Sequence, residues 1–289
     1  MSVINVVILA IVQGLAELLP VSSSAHVVVA EKLLGLNPSS PPMTLLLVML
    51  HTGTMFAVIV YFWRQWRNTY FKSAAAFKAT AGRVIVATVL TAIVGELIIK
   101  VIEKTAFHDL PHAEIEDLFS HLEFIAPALA TAGLLILCAG IFERQRSKRE
   151  APAPAELSMS HAILIGMVQG FCLPFRGLSR SGATISTGLL LRVSKEQAEA
   201  FSFALAVVIT PPVVSREVLR LLRSVHTTGS AELGSDSLLS VLGAVIAFFA
   251  GLIALRWLSR WLESGRWYLF GIYCLAASLA VFLLYRAGY

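Results

Sequence analysis

Apolar residues run almost unbroken through several stretches of the chain, and polar residues gather between them. Runs of about 20 residues, enough to cross a hydrocarbon core about 30 Å thick, occur at 43–63, 84–102, 124–142, 238–257 and 268–285. A sixth, 198–215, is a little short and runs through Thr-Pro-Pro-Val-Val. None alternates apolar and polar positions as a membrane β-barrel strand does, so the pattern predicts an all-α polytopic membrane protein.

Two shorter regions break the pattern. At 3–35 and again at 160–192 an apolar segment stops at a proline, passes through serine-rich sequence and resumes as a second short segment. Val-Gln-Gly stands at 12–14 in the first and at 168–170 in the second. Each region is followed by three longer spans, so the chain reads as a weak internal repeat of the kind found in membrane transport folds. The first unit is 1–147 and the second 158–289. The stretch 144–157, charged and then Pro/Ala-rich, reads as exposed and places a linker at 148–157.

Charge supplies an orientation. Residues 64–83 carry five basic side chains and no acid, whereas 103–123 carry six acids and one lysine. The first loop is therefore expected on the cytoplasmic side and the second outside. This threading requires each broken pair to leave by the face it entered. The first pair then dips in from outside and the second from the cytoplasm, an inverted repeat whose two polar tips meet near mid-membrane. Arg216, Arg220 and Arg223 fall on the outer side, against the rule.

Composition agrees with a membrane protein: the 289 residues are 57% hydrophobic and 14% charged. The net charge of +5 is spread between spans rather than gathered on a domain, which speaks for membrane orientation and against nucleic acid. The N-terminus has no basic n-region and no small-residue cleavage site before its polar cluster, so it is expected to be retained. Cys138, Cys172 and Cys274 sit in apolar sequence without ligand spacing and read as packing residues. Trp63, Trp66, Trp257, Trp261 and Trp267 are expected at membrane interfaces.

Chemistry concentrates in the two tips. In "VQGLAELLPVSSSAH", Gln13 and Glu17 are four apart and share a helix face, as do Ser23 and His26 if helix resumes after Pro20. A carboxylate, hydroxyls and an imidazole that converge supply a general base, a nucleophile and a proton donor. The plainer alternative is a polar helix break whose groups satisfy one another. In "GLSRSGAT", Ser181 is expected to cap a helix beginning near Gly182, leaving amides and a positive dipole end beside Arg180. That outlines an oxyanion or phosphate site, with an ordinary Ser/Gly turn as the alternative. His51 and Glu96, polar groups within spans, read first as inter-helix hydrogen bonds. His108, His112 and His121 lie among acids but fit no recognised metal pattern.

The two tips resemble the signature regions of the undecaprenyl-diphosphatase family, the BacA type associated with bacitracin resistance. That family has Glu/Gln-x-x-x-Glu leading into Pro-Val-Ser-Ser and a histidine, matched here by Gln13, Glu17, Ser22, Ser23 and His26. Its second motif, Pro-Gly-x-Ser-Arg-Ser-x-x-Thr, is matched by Ser179, Arg180, Ser181 and Thr184. The resemblance is strong over 8–34 and 160–192 and looser over the spans. Gln13 stands where many members have glutamate, and Phe175 and Arg176 separate the proline from the glycine of the second motif.

The resemblance implies a multi-pass phosphatase of the bacterial inner membrane. It would convert undecaprenyl diphosphate to undecaprenyl phosphate and inorganic phosphate, recycling the lipid carrier for peptidoglycan synthesis. Glu17, Ser23, His26 and Arg180 are the expected catalytic residues. The phosphate-binding set is Gln13, Ser22, Ser179, Arg180, Ser181, Gly182, Ala183 and Thr184. Glu17 is the expected ligand of a divalent cation, Mg²⁺ or Ca²⁺. Ser23 is the first choice of nucleophile, ahead of His26 and an activated water. The partners are a polyprenyl diphosphate and membrane lipid, with a homo-oligomer open and no nucleic acid. The competing class is a transporter or flippase of the phosphorylated lipid carrier, and a phosphatase of different lipid preference is a third reading.

Overall fold

The computed structural model describes residues 2–37, 40–106, 122–148, 156–228 and 233–288. Among them there are ten helices and no strands. His108, His112 and His121, residues 149–155, and the side chains of Arg216, Arg220 and Arg223 lie outside the described residues.

In chain order α1 (Val3–Leu18) and α2 (Ser23–Leu33) form the first broken pair, and α3 (Pro41–Thr69), α4 (Ala74–Ala106) and α5 (Leu122–Lys148) follow it. Then come the second pair, α6 (Met159–Cys172) and α7 (Arg180–Leu190), and α8 (Lys195–Thr228), α9 (Leu233–Glu263) and α10 (Tyr268–Arg286). Five helices, α3, α4, α5, α9 and α10, are long and apolar enough to cross a membrane. The expected sixth span, 198–215, lies inside α8, a 34-residue helix with Pro211 and Pro212 in its interior. The apolar sides of these helices face outward: on α4, Ile85, Ile93 and Leu97 are each about three-fifths exposed. A patch of that kind is a liability in water and is at home in lipid.

The breaks have local causes. Leu19 precedes Pro20, and a residue before proline is pushed out of the α region; Leu19 adopts φ −76°, ψ 150°, which ends α1. Ser22 then takes φ +68°, a left-handed conformation that a non-glycine residue holds at a cost of roughly 1–3 kcal/mol. At α6 a capping box starts the helix: Ser158 Oγ accepts from His161 N–H and His161 Nδ1 accepts from Ser158 N–H.

Three of the four short helices pack most heavily across the chain, while α2 packs on α1. Helix α1 lies on α9, α6 lies on α4, and α7 lies on α5, while α3 packs on α9 and α8, and α5 on α10. Small residues permit these approaches. A β-carbon at Gly14 would lie 2.6 Å from Ala250 Cβ and 2.8 Å from the Ala247 carbonyl oxygen, so α1 meets α9 backbone to backbone only with glycine there. The core takes two of the five tryptophans, correcting the expectation that all mark interfaces. Trp66 and Trp267 are buried, donating through Nε1 to Ala200 O (3.2 Å) and Ser186 Oγ (3.0 Å). Glu96, expected to bridge helices, is exposed and pairs with Lys100 one turn along its own helix.

Candidate active site

The two tips meet. Ser24 Oγ accepts a hydrogen bond from Gly177 N–H (3.3 Å), and Arg180 Nη2 donates to Glu17 Oε1 (3.2 Å), joining residues more than 150 positions apart. Around this junction lies a cavity of about 350 Å³, lined from the first tip by Glu17, Ser22, Ser23 and Ser24 and from the second by Arg176, Ser179, Arg180 and Ser181. His51 of α3, Cys172 of α6, and Ile209, Thr210 and Val214 of α8 also line it.

Glu17 is the hub. Its Oε2 accepts from Ser23 Oγ and from Gln13 Nε2 (3.1 Å), and His51 Nε2 lies 3.8 Å from the same oxygen. Two of these four partners come from its own helix pair, one from α3 and one from α7. A carboxylate that accepts from several donors is held in one orientation. The hydroxyl of Ser23 therefore points at a base, the arrangement a nucleophile needs. Gln13 is buried and does not line the cavity; it orients Glu17 and has no contact with the cavity through which it could touch a phosphate.

The second tip differs in detail from the expectation. Helix α7 begins at Arg180, not near Gly182, and its cap is Ser179, whose Oγ accepts from Gly182 N–H (3.1 Å). Ser179 O accepts from Ala183 N–H (2.8 Å). The amides of Gly182 and Ala183 are thus taken. The N–H groups left over at the first two positions of a helix are those without intrahelical acceptors, and here they belong to Arg180 and Ser181. The positive helix end survives, shifted by one to two residues toward the cavity. Thr184, expected at the phosphate, is fully buried against α8: its Oγ1 donates to Arg180 O (2.8 Å) and shares a hydrogen bond with Ser202 Oγ (2.6 Å).

His26 also departs from the expectation. It does not line the cavity; Nδ1 lies 2.8 Å from Ser22 O and Nε2 lies 2.7 Å from Tyr273 Oη, with the two rings stacked. Both nitrogens are engaged in fixing the strained Ser22 turn to α10. The imidazole at the cavity is His51, whose Nδ1 lies 2.8 Å from Leu47 O in its own helix. Its polar position inside the span Leu-His-Thr-Gly-Thr was visible in the sequence, but nothing local could show that α3 turns it toward Glu17. Ser24, Arg176 and Thr210 are likewise cavity residues that sequence reasoning did not assign.

The expected Mg²⁺ or Ca²⁺ does not fit this arrangement. Both oxygens of Glu17 are engaged by N–H or O–H donors, and the Arg180 guanidinium stands against one of them. Among the described residues no three His, Cys, Asp or Glu side chains gather as a metal cage. A cation on Glu17 would sit beside the fixed positive charge of Arg180, so no step below passes through a metal.

Fold and site together define a polytopic helical membrane protein with a cavity, bearing a carboxylate and guanidinium groups, where its two broken helix pairs meet. The chain matches the family described as bacitracin resistance protein BacA over residues 6–280, and it belongs to that family. It is 54% identical over 287 residues to undecaprenyl-diphosphatase 2 of Acinetobacter baylyi, covering 98% of each chain. It is 35% identical to an undecaprenyl-diphosphatase of Syntrophotalea carbinolica, covering 95% of each, and 32% identical to one of Rhodopirellula baltica, covering 97% of each.

Proposed function

We propose that this protein is an undecaprenyl-diphosphate phosphatase of the bacterial inner membrane, removing the terminal phosphate to regenerate the monophosphate lipid carrier used in peptidoglycan synthesis. Bacitracin resistance is the phenotype the reading predicts. The observation that carries it is the convergence of Ser23, Glu17 and Arg180 on one cavity, with a hydroxyl, a carboxylate and a guanidinium in contact.

Phosphoryl transfer asks for positioning and charge stabilisation. Arg180, with the free amides of Arg180 and Ser181, holds the terminal phosphate. Ser23 Oγ attacks phosphorus while Glu17 takes its proton; the bond to the bridging oxygen breaks, and the electron pair leaves with the lipid monophosphate. Water then attacks the serine phosphate, inorganic phosphate departs, and the proton returns from Glu17 to Ser23. The proton arrives on Oε2, the oxygen that faces Ser23, and the phosphate takes up Arg180 as Glu17 loses its charge. His26 acts at one remove in this scheme, holding the Ser22 turn from which Ser23 projects. Leaving-group protonation by His26 would require it to abandon Tyr273.

The reciprocal packing of α1 on α9 and of α6 on α4 supports the inverted repeat, with units 1–147 and 158–289, and it keeps a second reading in play, a flippase for the same lipid. Both proteins would bind a lipid phosphate; only the phosphatase needs Ser23 on Glu17. Purified protein given farnesyl diphosphate is expected to release inorganic phosphate, and binding without release would turn the assignment to transport. The orientation is checked separately: α4 is about 50 Å long at 1.5 Å per residue. A cysteine in place of Lys104 is expected to react with an impermeant reagent in intact cells and one in place of Ser73 is not. Labelling in the opposite sense would reverse the threading.

A further inference from the structure

Arg176 is the residue by which this chain departs from the second family motif, and the structure shows where that departure points. Phe175 to Leu178 form a four-residue turn closed by Leu178 N–H donating to Phe175 O (3.2 Å), with Gly177 at φ +102° in the third position. That is the type II pattern, which needs positive φ at the third residue and favours proline at the second. In Pro-Gly-x-Ser-Arg-Ser the proline directly precedes the glycine; aligned on Gly177-Leu178-Ser179-Arg180-Ser181, Arg176 stands in its place. The turn is fastened to the first tip through Gly177 N–H and Ser24 Oγ, so the corner bearing Arg176 is held at the rim of the cavity it lines.

The two cavity arginines are not equivalent. Arg180 is committed to Glu17, whereas among the described residues Arg176 makes no hydrogen bond or ion pair. The acid whose charge it faces is Glu31 of α2, buried, with Oε1 unpartnered. A free guanidinium on the wall of a phosphate cavity is a ready grip for a second anionic group, two oxygens at a time. Among the described residues of the wall Glu17 is the one acid, beside Arg176, Arg180 and the imidazole of His51.

We propose that Arg176 binds the lipid-linked phosphate of a polyprenyl diphosphate while Arg180 holds the terminal one, so that the site prefers diphosphates to monophosphates. This rests on the phosphatase reading for its natural substrate. Cleavage leaves Arg176 with a lipid monophosphate that has lost the second contact, which favours release of the product.

The test uses the full-length protein in detergent with Arg176→Pro, which removes the cation and suits the turn, and Arg176→Lys, which keeps a charge. Where Arg176→Pro does not fold, Arg176→Gln takes its place. Thermal stabilisation by inorganic pyrophosphate and by orthophosphate gives a binding ratio without turnover. The parent protein is expected to prefer pyrophosphate, Arg176→Pro to lower that preference about tenfold, or 1.4 kcal/mol, and Arg176→Lys to retain most of it. In phosphate release from farnesyl diphosphate, the larger part of the Arg176→Pro loss is expected in KM rather than kcat. An equal loss for both anions, no loss for either, or no pyrophosphate preference in the parent would overturn the assignment. Absence of phosphate release by the parent protein would instead remove the phosphatase reading, and the binding ratio would still decide the role of Arg176.

Discussion

Gln13 and Gln169 open the two Val-Gln-Gly segments in the same way, both buried and both on the first helix of a broken pair, yet they hold different things. Gln13 Nε2 donates to Glu17 Oε2, a carboxylate on the cavity wall. Gln169 Nε2 donates to Thr91 Oγ1 (3.1 Å), a hydroxyl on α4, and its Oε1 has no hydrogen-bond partner among the described residues. Four positions on, the first segment has Glu17 and the second has Leu173. Both segments carry a buried glutamine, one tied within its own helix and one tied across to α4, and only the first carries the acid. The second half contributes the cation instead, so neither tip is a site alone, and the interleaving of short helices across the chain brings acid and cation together.

The sharpest way to break this division is to remove the acid. Glu17→Gln keeps the shape and the hydrogen-bonding reach but neither the charge nor the basicity. Phosphate release is expected to fall by about 10²–10⁴, the usual worth of a positioned general base. Ser23→Ala should fall into the same range, and a double variant no further, because the two act as one unit. Activity of Ser23→Ala within tenfold of the parent would move the nucleophile to water.

Next comes the cation. Arg180→Ala is expected to cost about 10²–10³ in rate, as loss of one preorganised charge stabiliser does. It also leaves Glu17 without its ion-pair partner, which in buried pairs costs about 3–5 kcal/mol; the side chains here are one-sixth to one-fifth exposed, so the stability loss should be smaller. Arg180→Lys separates the two effects: melting temperature should recover more than activity, because an ammonium cannot grip two oxygens as a guanidinium does. Recovery of both together would make Arg180 a structural residue.

The smallest effect tests the glutamines directly. Gln13→Leu removes a hydrogen bond to a charged group and is expected to lower activity about tenfold, 1.4 kcal/mol, by loosening Glu17. Gln169→Leu removes an amide whose oxygen is buried without a partner, and activity should stay within about threefold with little change in melting temperature. Equal losses would mean that both glutamines serve packing alone and that the halves have not diverged in role.

Much of this was legible in the chain. The five long apolar runs became α3, α4, α5, α9 and α10 because lipid leaves a backbone little choice other than helix. The break at Pro20 followed from proline stereochemistry, the second pair breaks beside Pro174, and Glu17, Ser23 and Arg180 stood out as polar groups in apolar surroundings. What the chain does not show locally depends on rotation and depth. Whether His26 or His51 faces the cavity turns on the pitch of α2 and α3 against their neighbours, and both histidines look alike along the sequence. The motif contains Thr184, but one turn of α7 carries it round to Ser202.

The sequence by itself determined the class of the protein, the places where its helices break and the residue types available for phosphate chemistry, because these follow from local hydropathy, proline and glycine stereochemistry, and charge. Only the tertiary structure decided which of those residues meet. The contacts of Arg180 with Glu17 and of Gly177 with Ser24 span more than 150 residues. They depend on α1 crossing to α9 and α6 to α4, a pairing set by close packing of small residues that local patterning does not specify.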